Sequence, residues 1–207
     1  GNNSSGQLGQ NDRVNRSAST QVGALANWSA VNATTNHVVA VKTDGTLWAW
    51  GGNLRGQLGQ NDTIYRSSPV QIGALTTWLR VSTGDNYTSF AIKTDGTLWS
   101  WGNNSAGQLG LNDIAHRSSP VQVGTLTTWS KLTRIGAIKT DGTLWSWGEN
   151  GSGQLGQNDI VNRSSPVQVG ALTTWSYSLG SAAIKTDGTL WTWGQNNFGQ
   201  LGQNISY

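Results

Sequence analysis

Apolar and polar residues alternate in short runs along the chain, and turn-forming residues separate the runs. Within 69–102 the runs are 69–73, 78–82, 87–94 and 97–102. Because successive side chains of a β-strand point to opposite faces, this alternation predicts strands rather than helices. The connections between the runs are short, so the sequence predicts four antiparallel strands joined by tight turns.

An Asp-Gly dipeptide marks the turn before the last of these strands, at Asp95-Gly96. Asp-Gly between two alternating runs predicts a hairpin, because Gly adopts the positive φ that the turn needs without strain. The same dipeptide recurs at Asp44-Gly45, Asp141-Gly142 and Asp187-Gly188. A proline opens the first run of three units, a position where a sheet tolerates a missing N–H, and Ser19 takes its place in the first unit.

The whole chain is a tandem array of this unit. Gly-Gln-Leu-Gly begins at 6, 56, 107, 153 and 199, so the period is 46 to 51 residues. We divide the chain into copies 1–50, 51–101, 102–147 and 148–193, followed by a partial fifth copy at 194–207. This period, with 28 Gly and only one Glu, is typical of propeller blades and disfavours helical repeats. The predicted fold class is all-β, a β-propeller built from four-stranded antiparallel blades as one domain.

Twelve Trp residues fall three to a copy, as one solo Trp and one Trp-x-Trp pair. Spacing of two places both indoles of a pair on one face of the strand. Packing between adjacent blades would contribute roughly 2–3 kcal/mol per buried ring. Alternatively, one indole of each pair stays partly exposed and stacks on a sugar ring or another protein. The pairs therefore form a candidate interaction surface, which comprises Trp48, Trp50, Trp99, Trp101, Trp145, Trp147, Trp191 and Trp193.

The residues that could carry catalysis are few. The chain has no Cys, so thiol nucleophiles, thiolate metal sites and a disulfide scaffold are excluded. His37 and His116 stand at non-equivalent positions, and Glu149 replaces an Asn of the motif. No Ser/His/Asp set or paired carboxylate recurs, so we expect no enzyme activity, no catalytic residue and no cofactor.

One Asp in each Asn-Asp loop precedes an Arg by four positions. The pairs are Asp12 and Arg16, Asp62 and Arg66, Asp113 and Arg117, and Asp159 and Arg163. A repeated loop ion pair is the simple interpretation, and calcium binding is the alternative. Each loop offers one carboxylate, whereas calcium needs several converging oxygens, so we expect no metal site.

Charge and hydropathy narrow the function classes. The net charge is only +3 and no basic run occurs, so we expect no nucleic-acid partner. No apolar stretch approaches the roughly 18–20 residues that span a membrane, so we expect no membrane insertion. A surface of Asn, Gln, Ser and Thr suits a protein on a virion, outside a cell or on a cell surface.

The segments 91–103 and 107–110 resemble the repeat of the regulator of chromosome condensation family, and the resemblance extends over the whole chain. It implies a β-propeller, seven-bladed in the founding members. The near-identical copies are most similar to arrays in bacterial and bacteriophage proteins, including surface proteins and virion tail or fibre components. The family's nucleotide-exchange activity on a small GTPase depends on an insertion that no copy matches.

These observations predict a non-enzymatic structural or interaction propeller. The leading hypothesis is a virion component (phage tail, fibre or surface decoration) that contacts other structural proteins or the host surface, with possible homo-oligomers. A glycan-binding bacterial surface adhesin is the alternative, and a regulator that promotes nucleotide exchange on a GTPase is a third.

Copies 3 and 4 are shorter than the others. Trp129 to Lys139 spans 10 positions, whereas Trp78 to Lys93 spans 15. The missing piece corresponds to 82–87 of copy 2, so either these blades are truncated or the sequence lacks residues there. The chain also begins within the repeat motif, and we expect it to be the C-terminal part of a longer protein. A native polypeptide of 22.0 kDa would contradict that expectation.

Overall fold

The computed structural model describes residues 1–24, 26–84 and 87–202, which form an array of antiparallel β-sheets. The strands are β1 (Trp28–Ala33), β2 (His37–Lys42), β3 (Leu47–Gly51), β4 (Arg66–Gln71), β5 (Trp78–Gly84), β6 (Thr88–Lys93), β7 (Leu98–Gly102), β8 (Arg117–Gln122), β9 (Trp129–Leu132), β10 (Gly136–Lys139), β11 (Leu144–Gly148), β12 (Arg163–Gln168), β13 (Trp175–Ser178), β14 (Ala182–Lys185) and β15 (Leu190–Thr192). Within the described ranges, no helix is long and apolar enough to cross a membrane.

The strands form four sheets, here called blades 1 to 4. Their orders are β1-β2-β3-β4, β5-β6-β7-β8, β9-β10-β11-β12 and β13-β14-β15, so each blade is a simple meander. The predicted all-β fold of four-stranded antiparallel blades is confirmed, with three described strands in blade 4.

The blades and the sequence copies are out of phase by one strand. We grouped 69–73 with the strands that follow it, but β4 pairs with β3 of the preceding unit, through Trp48 opposite Gln71 and Ala49 opposite Val70. A repeating sequence reads the same whichever strand is taken as first, so only the pairing fixes the phase. The copy boundaries given above stay a prediction, and they divide the chain at different points from the blades.

The first strand of each blade lies at the inner edge of the array. Asn32 and Thr83, on β1 and β5, are joined by a side-chain hydrogen bond of 2.6 Å. The Ser82 hydroxyl on β5 donates to the carbonyl of Thr133, beside β9, at 3.2 Å. The ends of all four first strands line one cavity of about 220 Å³. This places β1, β5, β9 and β13 innermost and β4, β8 and β12 outermost.

The hydrophobic core lies between neighbouring blades. Val39 and Leu47 of blade 1 pack in one cluster with Trp78 and Trp101 of blade 2. A second cluster joins blade 2 to blade 3, and in it the rings of Phe90 and Trp147 lie 6.0 Å apart in an edge-on geometry. Each blade is therefore held mainly by the apolar faces of its neighbours.

The Asp-Gly turns form as predicted. Gly45 has a φ of 77°, and the three equivalent glycines have φ between 78° and 84°. A methyl group on Gly45 would collide with the carbonyl oxygen of Thr76, in the loop that leads to the next blade. Glycine is therefore required both by the turn and by the close approach of the next unit.

Candidate interaction surface

In each Trp-x-Trp pair, the second indole packs inward. Trp50, Trp101 and Trp147 are buried, and Trp193 is half-buried. Each donates its Nε1–H to the main-chain carbonyl of the glutamine in a Gly-Gln-Leu-Gly loop. The bonds join Trp50 to Gln7 (3.0 Å), Trp101 to Gln57 (2.9 Å), Trp147 to Gln108 (2.9 Å) and Trp193 to Gln154 (2.8 Å). Packing between adjacent blades is confirmed for Trp101 and Trp147, whereas Trp50 packs against residues of its own blade and Val22.

The first indole of each pair lies nearer the surface. Trp48, Trp99 and Trp145 are half-buried, and Trp191 is 47% exposed because no described fourth strand lies beside β15. A Lys ammonium lies over each of these rings, 3.7 to 3.8 Å from the centroid. This cation–π contact occupies one face of the ring. Stacking of a sugar or a partner protein on the first indoles stays a prediction. It would use the part of the indole that the Lys ammonium does not cover.

A chain of hydrogen bonds fixes the first indole to the Asp-Gly turn. The Nε1–H of Trp48 donates to the Thr46 hydroxyl at 2.8 Å, and that hydroxyl donates to the Asp44 carboxylate at 2.6 Å. The hydroxyl and main-chain N–H of Thr46 hold the pKa of Asp44 below its ordinary value. Burial lowers the pKa of Lys139, which lies over Trp145 in the equivalent group of blade 3.

The Asn-Asp loops contain the predicted ion pairs. Asp12 and Arg16 approach to 2.6 Å, and the three equivalent pairs lie at 2.5 to 2.6 Å. The main-chain N–H of Val14, followed by the guanidinium of Arg16, lowers the pKa of Asp12. Asn11 adopts a φ of 61°, as expected for Asn in such a turn. Among the described residues, no three His, Asp or Glu side chains cluster as a metal site would require.

His37 lies inside the protein, at the junction of blades 1 and 2. Its Nδ1 lies 3.0 Å from the Thr34 hydroxyl and its Nε2 lies 3.0 Å from the Ser89 hydroxyl. Ser89 donates its own proton to the Gln57 carbonyl at 2.8 Å, so it accepts from Nε2–H of a neutral ring. Burial lowers the pKa of His37 to about 4. This His therefore links two blades and does not face a substrate.

His116 and Glu149 lie apart from His37, in the loops of copies 3 and 4. His116 Nδ1 accepts from the main-chain N–H of Asn104 at 2.9 Å. Copies 1 and 4 use the side-chain oxygens of Asn15 and Asn162 for the same bond. Glu149 is exposed. The structure does not bring the three candidate residues together.

The inner hairpins of blades 3 and 4 are short but closed. In blade 1 the turn has Thr34 N–H donating to the His37 carbonyl at 3.0 Å, and in blade 3 Thr133 N–H donates to the Gly136 carbonyl at 3.0 Å. β1 and β2 have six residues each, whereas β9 and β10 have four each. Loss of two residues from each strand preserves the alternation of faces. The shortened blades therefore keep a regular sheet.

The shortening opens a cavity of about 240 Å³ between blades 2, 3 and 4. Thr88, Phe90 and Trp147 form its buried floor. Its other lining residues are Gln108, Arg134, Ile135, Glu149, Gln154, Leu179, Gly180 and Ser181. None of these except Trp147 was singled out for a binding role from the sequence. The signal was the ten-residue spacing in copies 3 and 4, which marks where the inner hairpins end early.

Two repeat models match most of the chain. The Regulator of chromosome condensation (RCC1) repeat matches residues 44–91, 95–136 and 141–177, which is more than half of the chain. A second model of the same repeat matches 28–57, 79–108 and 178–200. No curated protein sequence matches the chain.

Solved structures show the same fold. Human WBSCR16 is 23% identical with a TM-score of 0.76, over 97% of this chain and 57% of that one. Yeast RCC1 (Prp20) bound to Kap60 is 20% identical with a TM-score of 0.71, over 84% and 46%. Prp20p from Saccharomyces cerevisiae, described with its binding properties to Gsp1p and histones, is 20% identical with a TM-score of 0.74, over 98% and 54%.

The chain spans about half the length of these three proteins. Their low identity supports the fold and nothing finer, whereas the repeat models identify the family directly. The chain therefore belongs to the regulator of chromosome condensation (RCC1) repeat family, whose β-propeller is a scaffold for protein interactions.

Proposed function

We propose that this propeller is a non-enzymatic binding protein, a structural component of a virion or of a cell surface. One observation carries the proposal: the charged residues that recur in every copy are bound within the repeats, to one another, to Trp rings or, for the Asp of each Asp-Gly turn, to a Thr hydroxyl. The four Asp–Arg pairs and the four Lys–Trp stacks both lie within the repeats. These recurring charged residues therefore stabilise the repeats. The loops offer amide, hydroxyl and aliphatic side chains for contact with a partner.

The Asn-Asp loops also present aliphatic side chains to solvent. Val14 is 61% exposed, Ile64 63%, Ile114 66% and Ile160 69%. The fourth loop also exposes Val161, at 58%. Exposed aliphatic side chains in every loop suit contact with another protein better than contact with a phosphate backbone. Protein partners are therefore favoured over nucleic acid, and contact with other structural proteins or with a second copy of the chain follows from the same surface.

The exchange-factor and histone-binding roles of yeast relatives are not carried over. Binding to Gsp1p and histones is described for Prp20p, but identity of 20% supports only the shared fold. The third hypothesis, a regulator that promotes nucleotide exchange on a GTPase, would be supported by accelerated nucleotide release from a candidate GTPase.

A glycan-binding adhesin remains the second candidate, favoured by the half-buried first indoles. A glycan array tests it, with Trp99→Ala as the variant and Trp101→Ala as the control for lost packing. Specific binding that disappears only in Trp99→Ala would support the adhesin. An array without binding would count against it.

The proposed function is tested by cross-linking mass spectrometry on native particles or cells of the source organism. We expect stoichiometric recovery of the protein in purified particles or in a surface fraction, with cross-links from its loops to a second structural protein. Recovery only as a free protein in the cell interior, without cross-links to any other chain, would contradict the proposal.

A further inference from the structure

Blade 1 shows how the Gly-Gln-Leu-Gly loop receives the tip of an inner hairpin. The amide Nε2 of Gln7 donates to the main-chain carbonyl of Thr35 at 2.9 Å. The N–H of Gly52 donates to the main-chain carbonyl of Asn36 at 2.7 Å. Both acceptors belong to the turn between β1 and β2. The loop and the strand end together form a receptor for the carbonyl oxygens of a polypeptide turn.

Copies 3 and 4 keep the glutamine of this receptor but lack the turn that fills it. Gln108 and Gln154 occupy the position of Gln7, and both line the 240 Å³ cavity. Their Oε1 atoms accept from the N–H of Ala106 and Ser152, at 2.7 and 2.9 Å, as Gln7 accepts from Ser5. The described hydrogen bonds of Gln108 and Gln154 side chains are these Oε1 bonds, whereas Gln7 also donates from Nε2 to Thr35.

The glutamine of blade 1 is also more buried than the glutamines of copies 3 and 4. Gln7 is 8% exposed beneath its hairpin tip, whereas Gln108 and Gln154 are half-buried at the cavity wall. A methyl group on Gly51 would collide with the carbonyl oxygen of Asn36, whereas on Gly148 its three nearest atoms would all belong to Gln108. The space that the tip occupies in blade 1 is therefore open in blade 3.

The size and rim of the cavity fit a turn. Its 240 Å³ lies below the roughly 300–1,000 Å³ of small-molecule sites, so it suits a few main-chain atoms rather than a bulky cofactor. Arg134, Glu149 and Leu179 are exposed at the rim and lie beside the mouth. The aliphatic side chain of Leu179, 56% exposed, is suited to contact with a protein loop.

We propose that the cavity between blades 2, 3 and 4 binds a protruding turn of a partner protein, whose main-chain carbonyls accept from Nε2 of Gln108 and Gln154. The turn takes the place that the chain's own Thr34–His37 turn takes in blade 1. This inference rests on the proposed role as a protein-binding propeller and assigns a site and a ligand chemistry to it.

The test uses the Thr34–His37 turn of blade 1 as the probe. A cyclic peptide that contains Asn32–Val38 presents the blade 1 turn, and its affinity for the protein is measured by isothermal titration calorimetry. We expect saturable binding to one site. Two lost hydrogen bonds in a Gln108→Ala/Gln154→Ala variant should weaken it about tenfold. Gln7→Ala is the matched control, because its Nε2 is already bound to Thr35.

A second variant fills the cavity from within. Replacement of Thr133–Ile135 by the seven residues Asn32–Val38 lengthens the inner hairpin of blade 3 by two residues in each strand. We expect peptide binding to fall at least tenfold while the sheet stays intact, as circular dichroism would show. Absence of binding to the wild-type protein at millimolar peptide, or an equal loss in Gln7→Ala, would overturn the proposed site.

The outcome for the site is separable from that for the proposed function. Cross-links from other loops to a partner, with no peptide binding, would retain the function and reject the cavity. Peptide binding in a protein that contacts no other chain in its native source would retain the cavity and reject the function.

Discussion

Blades 1 and 2 have long inner hairpins, and blades 3 and 4 share a shorter one. β5 and β6 have seven and six residues, whereas β13 and β14 have four each. The short hairpins leave the second Trp of blade 3 as buried as that of blade 2, since Trp147 is 1% exposed and Trp101 is fully buried. The core between blades is thus insensitive to hairpin length, while the space beneath the glutamine loop depends on it.

The comparison shows that one sequence motif can serve two purposes. Gln7 completes a buried contact within blade 1, and Gln108 in the same motif lines a cavity. A main-chain bond from Trp147 N–H to the Ile135 carbonyl, 3.0 Å, replaces the lost pairing at the end of the short strand. The short hairpin of blade 3 therefore leaves the sheet intact, and at Gln108 a cavity takes the place of the hairpin tip that Gln7 binds in blade 1.

The largest expected effect concerns His37, which the long hairpin buries. Its pKa is about 4 in the folded protein and about 6.5 when unfolded, so the unfolded state binds the extra proton between these values. Stability is complete above about pH 7.5 and falls as pH drops through the unfolded pKa, by about 2.5 kcal/mol between pH 7.5 and 4.5. Urea unfolding at the two pH values measures it.

The control for this pH effect is His37→Thr, since blade 2 has Thr88 opposite Gly102 where blade 1 has His37 opposite Gly51. The variant should lose most of the pH dependence in that range. An equally steep dependence in the variant would show that another group is responsible.

The next effect compares two glycines at the ends of equivalent strands. Gly51 and Gly148 have φ of 104° and 101°, so alanine introduces similar backbone strain at both. Only Gly51→Ala also forces a methyl group against the carbonyl of Asn36. We expect Gly51→Ala to destabilise the protein by about 2 kcal/mol more than Gly148→Ala, in the range of overpacked cores. Equal midpoints in chemical denaturation would contradict the difference between the hairpins.

A smaller effect separates the glutamines themselves. Gln7→Ala removes the buried bond to Thr35 and should lower the free energy of unfolding by about 1 kcal/mol. Gln108→Ala removes an Nε2 for which the described residues show no hydrogen bond, so its additional cost should be close to zero. Both variants lose the same Oε1 bond to a main-chain N–H, so the difference between them isolates Nε2. Differential scanning calorimetry compares the pair, and a greater loss in Gln108→Ala would reverse the assignment.

The smallest effect concerns the loops, in which the copies differ by side chain and not by geometry. His116→Asn should change stability by less than about 0.5 kcal/mol, because an Asn oxygen accepts the equivalent N–H bond in copies 1 and 4. Thermal denaturation checks this expectation, with His116→Ala as the control that removes the acceptor. A large loss in His116→Asn would indicate a specific role for the imidazole.

Much of this architecture is encoded locally and was predictable. The Asp44-Gly45 turn, the strand around Trp48 and the Asp12–Arg16 ion pair each depend on residues within about five positions of one another. The burial of Trp50 was one of two alternatives. The choice depended on a neighbouring loop and blade that a single repeat does not contain.

The sequence by itself determined the repeat, the four-stranded meander, the turns and the face that carries both indoles, because turn chemistry and the alternation of side chains act over a few residues. The tertiary structure decided which sheet β4 joins, which indole is buried and what Gln108 faces. Those outcomes depend on residues far apart in the chain, such as Trp48 and its β4 partner Gln71, or Trp147 and the Gln108 carbonyl, 39 positions away. Such contacts exist only once neighbouring blades have packed together.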